Sequence, residues 1–518
     1  MFLRLFHSLW QPWGVNASDL QRAHDAQASH HLGRLGIPFH CFFAAAWAFV
    51  CVGPITFVEL GYIPLGVMFL IRLPFIWPSL RLLVRVPLFW GCMLFAIWSH
   101  VSILWSPDVH QGVRDAGAVR FMLMLFFIWP VMHARRAMIF GLVLGFAAAG
   151  FTQVLEVVGH RFDMPGLVWS HPPIPEGTSP RLSMWWHQPA VGGTMLAAGF
   201  AMHLPAAFGL MIDRGPRQML WRIVGCLGCV VAFAGILATG TRGAMLAACA
   251  AVVIAALAKA WSMVARRHTA KLTHAPAGVA LAKNRGRTLI VPVIAGLMAL
   301  LLLGGTWLVV GNQVSERAKA AVAEVRSALS KKNYASDTGA RIAMAKWAVE
   351  AFAQKPMTGS GAGSFRTIAQ QAIASERLVG VRAHAQAHNT PLHIAATLGV
   401  PGLILFGWIV VAGLCGGSNL LKRLRSNEGL HNGSMNMGER SNPWNTFGGG
   451  AYDLAPVFAL VGLLLAGMFD TVLVNTQEAA LLWTLVALCV PFRAIAPVPG
   501  STEKAKKMQT ENKEGIKA

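Results

Sequence analysis

The sequence predicts an all-α polytopic membrane protein, and three observations carry that prediction. Of 518 residues, 55% are hydrophobic and only 13% charged, a balance that soluble globules do not keep. Apolar runs recur along the chain, each long enough for a membrane-crossing helix of roughly 17 to 25 residues. Arginine and lysine gather on alternate short connections between those runs.

About twelve spans are expected at that length, starting near Ile37, Leu60, Pro87, Gly117, Ala137, Val191, Ile223, Gly243, Leu289, Pro391, Leu454 and Ala479. Residues 1–36 read as a cytoplasmic or interfacial N-terminus. Its opening MFLRLFHSLWQPW is short, aromatic and basic, which fits an interfacial or unstructured segment rather than a cleaved signal, so the first span is retained. Spans 1–9 fall within 37–310, a long, partly helical outer loop within 311–390, spans 10–12 within 391–492, and a basic tail within 493–518.

Orientation follows from Arg81 and Arg85, Arg135 and Arg136, and Arg214, Arg217 and Arg222. The tract from Lys259 to Arg287, the group Lys422, Arg423 and Arg425, and the lysine-rich tail continue the series, which places both termini in the cytoplasm. The net charge of +22 is accounted for by this bias together with attraction to anionic lipid, so membrane lipids are expected partners and nucleic acid is not. All eight cysteines lie in or beside apolar spans, where a small packing residue is the natural role. Cys226 and Cys229 have redox spacing but no soluble domain around them.

The long segments facing away from the cytoplasm are Glu156 to Ala190 and Gly311 to Asn389. The second is rich in cations, among them Arg341 and Arg366, and loops of this length escape the positive-inside rule. Within it, SDTGARIAMAKWAVEAFAQKP reads as an amphipathic helix capped by Ser336 or Asp337 and ended by Pro356, with Ile342, Ala345, Val349 and Phe352 on one face. TGSGAGSF then turns the chain on Gly359, Gly361 and Gly363; it lacks the Lys-Ser/Thr of a nucleotide-binding loop.

Ionisable residues at the ends of apolar runs are the candidate site residues, because charge at membrane depth is costly without a polar cavity or partner. Arg242, in ATGTRGAM, fits either an arginine snorkelling to headgroups or an anion ligand. Arg120, roughly one turn inside the fourth span, has the same two readings. In SPRLSMWWHQPAVGG, Arg181 and His187 flank Trp185 and Trp186, a pair suited to an interface belt or a sugar-stacking platform. In AHNTPLHIAATLGVPG, Pro391 fits the first position of a helix and Thr390 its N-cap, which leaves His388 and Asn389 at the mouth, and Pro401 between glycines reads as a kink. His393 on the same helix reads as packing or a polar contact with a neighbouring span.

These pieces resemble the O-antigen ligase and O-antigen polymerase superfamily of inner-membrane glycosyltransferases acting on lipid-linked glycans. The ligase pattern of His, then Asn, Ser or Gln, nine residues, Gly, two residues, and Gly, Thr or Tyr is met by His388, Asn389, Gly399 and Gly402. TGTRGA at 239–244 resembles the family's arginine at the outer end of a span, and the run from Arg341 through Trp347 to KPMTGSGAGSF resembles its arginine-led helix and glycine segment. The resemblance covers the second half of the chain and reaches the first half only by topology.

The resemblance implies transfer of an O-antigen-type glycan from an undecaprenyl diphosphate-linked donor to an acceptor hydroxyl, with lipid A-core favoured. A polymerase, a protein O-oligosaccharyltransferase and, outside enzymes, a lipid-linked glycan transporter are the alternatives; no repeated halves of the transporter kind are found in the sequence. It further implies a bacterial inner-membrane protein working on its periplasmic side. Such a transfer needs charge neutralisation on the departing diphosphate and a base near the attacking oxygen. Arg242 and Arg341 suit a bidentate grip on the diphosphate. A helix N-terminus and two arginines disfavour an added positive charge on His388, leaving its imidazole to accept a proton. Asn389, Arg120, Arg181 and Arg366 are the expected substrate contacts. No carboxylate or Cys/His cluster has metal-ligand spacing on the outer face, so no metal or other cofactor is expected.

Overall fold

The computed structural model describes residues 17–167, 184–186, 188–210, 218–272, 319–320, 322–330, 333–378, 381–425 and 452–490. Among them the secondary structure is helical, with no strand, as a chain facing lipid requires when every backbone group must find its partner within its own segment. The elements are α1 (Ala17–Ser29), α2 (His31–Val50), α3 (Ile55–Leu83), α4 (Pro87–Val101), α5 (Val109–Gly117), α6 (Met124–Ile128), α7 (Arg135–Arg161) and α8 (Pro189–Ala207). Beyond these come α9 (Gln218–Thr239), α10 (Arg242–Leu272), α11 (Asp337–Gln354), α12 (Phe365–Ser375), α13 (Thr390–Arg425), α14 (Ala455–Ala466) and α15 (Thr476–Leu488).

Eight stretches among the described residues are long and apolar enough to cross a membrane. Val109–His160, at 52 residues, far exceeds one crossing. It is broken by 3₁₀ turns at Ala118–Leu123 and Trp129–Ala134, where Pro130 withholds a backbone donor and Val131 leaves helical geometry, and the breaks separate the spans expected near Gly117 and Ala137. The shorter α14 and α15 stand where the last two spans are expected. The span expected near Leu289, the opening MFLRLFHSLWQPW and the 493–518 tail lie outside the described residues.

Small residues set the helix contacts. Gly141 and Gly145, four apart on α7, lie against the backbone of Ala45 and Phe49 on α2; a Cβ at either would come within 2.5 Å of a carbonyl oxygen there. α8 runs through the centre, buried from Val191 to Ala206, and is apolar all round as such a helix must be. Near the start of α7, Arg136 pairs with Asp453 at 3.2 Å and Arg135 donates to the Leu488 carbonyl at 2.9 Å, a cation on the C-terminal end of α15. All eight cysteines are free thiols, Cys226 and Cys229 included.

The segment between α10 and α13 has a core of its own, made by Ala328, Tyr334, Ala343, Met344, Trp347, Ala348, Ala351, Phe365, Ala369, Ala387 and, from α13, Ala396. α11 is capped as expected, Ser336 Oγ accepting from Gly339 N–H at 3.1 Å. Its buried face is different from the expected one: Ala343, Met344, Trp347, Ala348 and Ala351 point inward while Val349 is exposed. The inward residues are mostly alanines, which let the helix pack closely but weigh little in a count of large apolar side chains.

Candidate functional site

α13 begins one residue earlier than the sequence suggests. The cap is Asn389, whose Oδ1 accepts from Leu392 N–H at 2.9 Å, so Thr390 is the first helical residue and Pro391 the second. Thr390 is freed to pin a neighbouring loop instead. Its N–H donates to the Gly467 carbonyl at 2.7 Å, and its hydroxyl donates to the Asp470 carbonyl at 3.0 Å and accepts from Val472 N–H at 3.2 Å. Asn389 Nδ2 adds a bond to the Met468 carbonyl at 2.8 Å. The loop 467–472 between α14 and α15 is thereby stitched to the mouth of α13.

That stitching brings His388 against Asp470, with Nδ1 3.2 Å from Oδ1. His388 has φ 47°, a left-handed conformation that non-glycine residues enter at a cost of about 1–2 kcal/mol; local strain of this kind gathers at working sites. Asp470 is only 3% exposed. Burial alone would raise its pKa, but the His388 hydrogen bond and charge, the Thr471 N–H at 2.8 Å and the nearby Arg341 outweigh it and hold the carboxyl below its ordinary range. An ionised carboxylate only accepts, so His388 Nδ1 is the donor in this contact.

The 467–472 loop also meets Arg341 and the start of α10, where Arg242 stands. Arg341, one turn into α11, donates from Nη1 to the Phe469 carbonyl at 3.0 Å. Gly240 in the left-handed region (φ 60°) closes α9, and Thr241 opens α10 with Arg242 as its first residue. Gly243 lies so close to Phe469 that a Cβ there would meet Phe469 Cβ at 2.4 Å. Arg242 Nη1 donates to Thr338 Oγ1 at 2.9 Å and faces Glu324 Oε2 at 3.3 Å, and Thr338 also bonds Glu324. Thr338 and Arg341 are three apart on α11, so the two guanidiniums share one helix face.

The glycine segment supports this mouth from behind. Gly359, Gly361 and Gly363 all have positive φ (66°, 93° and 77°). α13 breaks at Gly399 (φ 66°, ψ −163°), two residues before the kink expected at Pro401. Breaking a helix inside an apolar bundle strands backbone groups, and each is met from elsewhere. Ser360 N–H donates to Ala396 O and Gly361 N–H to Thr397 O, both at 2.9 Å; Trp98 Nε1 donates to Leu398 O, and Val400 N–H to Pro356 O, both at 2.8 Å.

The other expected contacts are dispersed. Arg120 pairs with Glu59 on α3, donates to the Gly117 carbonyl at 3.0 Å and lies over the Phe121 ring, with all of these partners outside the 467–472 loop. Arg366 sits on the first turn of α12, exposed and in electrostatic contact with Asp115. Arg181 and His187 lie outside the described residues. Trp186 is neither belt nor platform: it is buried and donates to the Val52 carbonyl at 3.1 Å. His393 is buried against Phe365, and among the described residues its Nδ1 has no hydrogen-bond partner. The residue that sequence reading missed is Asp470; its one signal is an acid in GMFDT between two apolar runs.

A model of the O-antigen ligase family matches residues 227–407, which take in Arg242, Arg341, Arg366, His388, Asn389, Gly399 and Gly402 but end before Asp470. The match supports the O-antigen ligase superfamily, with the ligase branch consistent, and with the apolar helices it points to a bacterial membrane protein. A search of curated proteins finds no match.

Proposed function

From the O-antigen ligase domain over residues 227–407, we propose that the protein is an inner-membrane glycosyltransferase that moves an O-antigen-type glycan from undecaprenyl diphosphate to an acceptor hydroxyl. The favoured acceptor is lipid A-core, reached on the periplasmic side, and 311–390 together with the 467–472 loop forms the catalytic region. The observation that carries this reading is the pairing of His388 with Asp470, with Arg341 bonded to the carbonyl next to it.

In this reaction His388 Nε2 takes the acceptor's proton while Asp470 fixes the ring and balances the imidazolium that forms. The acceptor oxygen attacks the anomeric carbon, and the bond to the diphosphate breaks toward phosphate. Arg242 and Arg341, always charged and planar, receive the departing diphosphate. Two guanidiniums supply the neutralising charge, so the chemistry assigns no task to a metal. Asn389 acts through the mouth it caps, and Arg120, Arg181 and Arg366 are the further substrate contacts of this proposal.

The experiment is transfer in detergent with purified protein, lipid-linked donor and lipid A-core acceptor. His388→Ala should insert and fold yet lose about 10²- to 10⁴-fold in rate, the usual worth of a general base. Wild-type turnover by that variant would reject the base assignment. Lipopolysaccharide from a deletion strain separates the acceptors: core without O-antigen supports a ligase, core with a single repeat a polymerase, and unchanged lipopolysaccharide with lost glycoprotein a protein-modifying enzyme.

A further inference from the structure

Four residues before His388 stands a second histidine that the transfer proposed above does not use. The 381–388 segment is not helical, and it carries the His384 ring edge-on to His388, with centroids 5.2 Å apart and planes at 74°. The charged and titratable groups whose electrostatics reach His384 are Arg341 and Asp337 on α11, Arg382 on its own segment, and His388. Arg382 is exposed, His384 is half-buried, and His384 makes no hydrogen bond among the described residues.

An imidazole edge-on to His388, with no hydrogen bond among the described residues and within the field of two guanidiniums, is placed to meet an anion. We propose that His384 is a substrate-contacting residue that donates its ring N–H to the departing diphosphate beside Arg341. The proposal rests on the glycosyl-transfer reading and adds the donor's phosphate as the ligand of this ring. During transfer the bond from the acceptor oxygen to the anomeric carbon forms as the bond from that carbon to the phosphate oxygen breaks. The electron pair leaves on phosphate, the acceptor's proton goes to His388 Nε2, and His384 keeps its own proton throughout.

A neutral donor suits this position better than a third fixed cation. Burial, then the charges of His388, Arg341 and Arg382, hold the His384 pKa below its ordinary value, with Asp337 acting in the opposite sense. At neutral pH the ring therefore offers an N–H without repelling the proton that His388 must accept. Acidification reverses this: a charged His384 beside the His388 ring opposes proton uptake there, so the acid side of the rate profile carries an extra proton.

The test uses the full-length protein in detergent with undecaprenyl diphosphate-linked glycan as donor and lipid A-core as acceptor, followed from about pH 5.5 to 8.5. His384→Ala should lower kcat/KM for the donor about 10-fold or more, the worth of a hydrogen bond to a charged group, and weaken inhibition by added undecaprenyl diphosphate. His384→Gln keeps an N–H but does not titrate. It should restore most of the rate and show an acid limb less steep by one proton. Wild-type kinetics in His384→Ala, or equal losses in both variants with an unchanged acid limb, would overturn the proposal. Full activity in His388→Ala would instead sink the transfer reading itself, whatever His384 does.

Discussion

Asp470 and His388, 82 residues apart in the chain, meet at 3.2 Å across the mouth of a helix. The contact is held by backbone as well as side chains, since Thr390 and Asn389 tie the 467–472 loop at the Gly467, Met468, Asp470 and Val472 positions.

Replacing that carboxylate tests the pairing. Asp470→Asn preserves size but can offer an amide N–H to Nδ1, which selects the wrong tautomer, so transfer should fall by about 10²-fold or more while insertion is unaffected. Rates within a factor of about two of wild type would mean that His388 works without Asp470.

Acid stability gives an independent readout of the same residue. The folded pKa of Asp470 is lowered from its ordinary 3.8, so its contribution is fully present above that value and is lost as pH falls through the lower folded value. The wild-type thermal midpoint should therefore drop on acidification below about pH 4 more than that of Asp470→Asn. Parallel curves for the two proteins would contradict the shift.

Guanidinium geometry is separable from charge. Arg242→Lys and Arg341→Lys keep the cation but lose the planar fork, so each should retain only part of the wild-type kcat/KM for the donor. A fully active Arg341→Lys beside a dead Arg341→Ala would show that charge alone suffices.

Glu324 pairs at 3.3 Å with Arg242, the guanidinium that the proposed mechanism gives to the donor diphosphate. Glu324→Gln should tighten donor binding by a few-fold, the scale of a partly exposed ion pair, with little change in thermal stability. A weaker donor KM in that variant would make Glu324 a support for Arg242 rather than its competitor.

The broken helix makes the last prediction. Gly399 at φ 66°, ψ −163° has no room for a side chain, since a Cβ would lie 2.7 Å from the Pro356 carbonyl oxygen. Gly399→Ala should cost about 1–3 kcal/mol, read as a lower thermal midpoint together with lost transfer. An unchanged midpoint would mean that α13 closes into a regular helix without penalty.

The membrane class, the helical spans and the places of Arg242 and His388 at the ends of apolar runs were legible in the sequence because each reflects a local energy, whereas the roles expected of them and of Arg341 came from the family resemblance. Apolar length sets what can cross a bilayer, and a charge at the end of such a run is conspicuous because it is costly. The turns at Gly359, Gly361 and Gly363 were legible for the same reason, since positive φ is a property of single residues. The inward face of α11 was not, because Ala343, Ala348 and Ala351 gain their burial from a partner surface that no periodicity displays. The break at Gly399 rather than Pro401, the cap at Asn389, the Glu324 partner of Arg242 and the carboxylate behind His388 were decided by tertiary structure. Each depends on which donor, acceptor or charge a distant segment brings within about 3 Å, and hydrogen bonds at that range carry no signature in the order of residues along the chain.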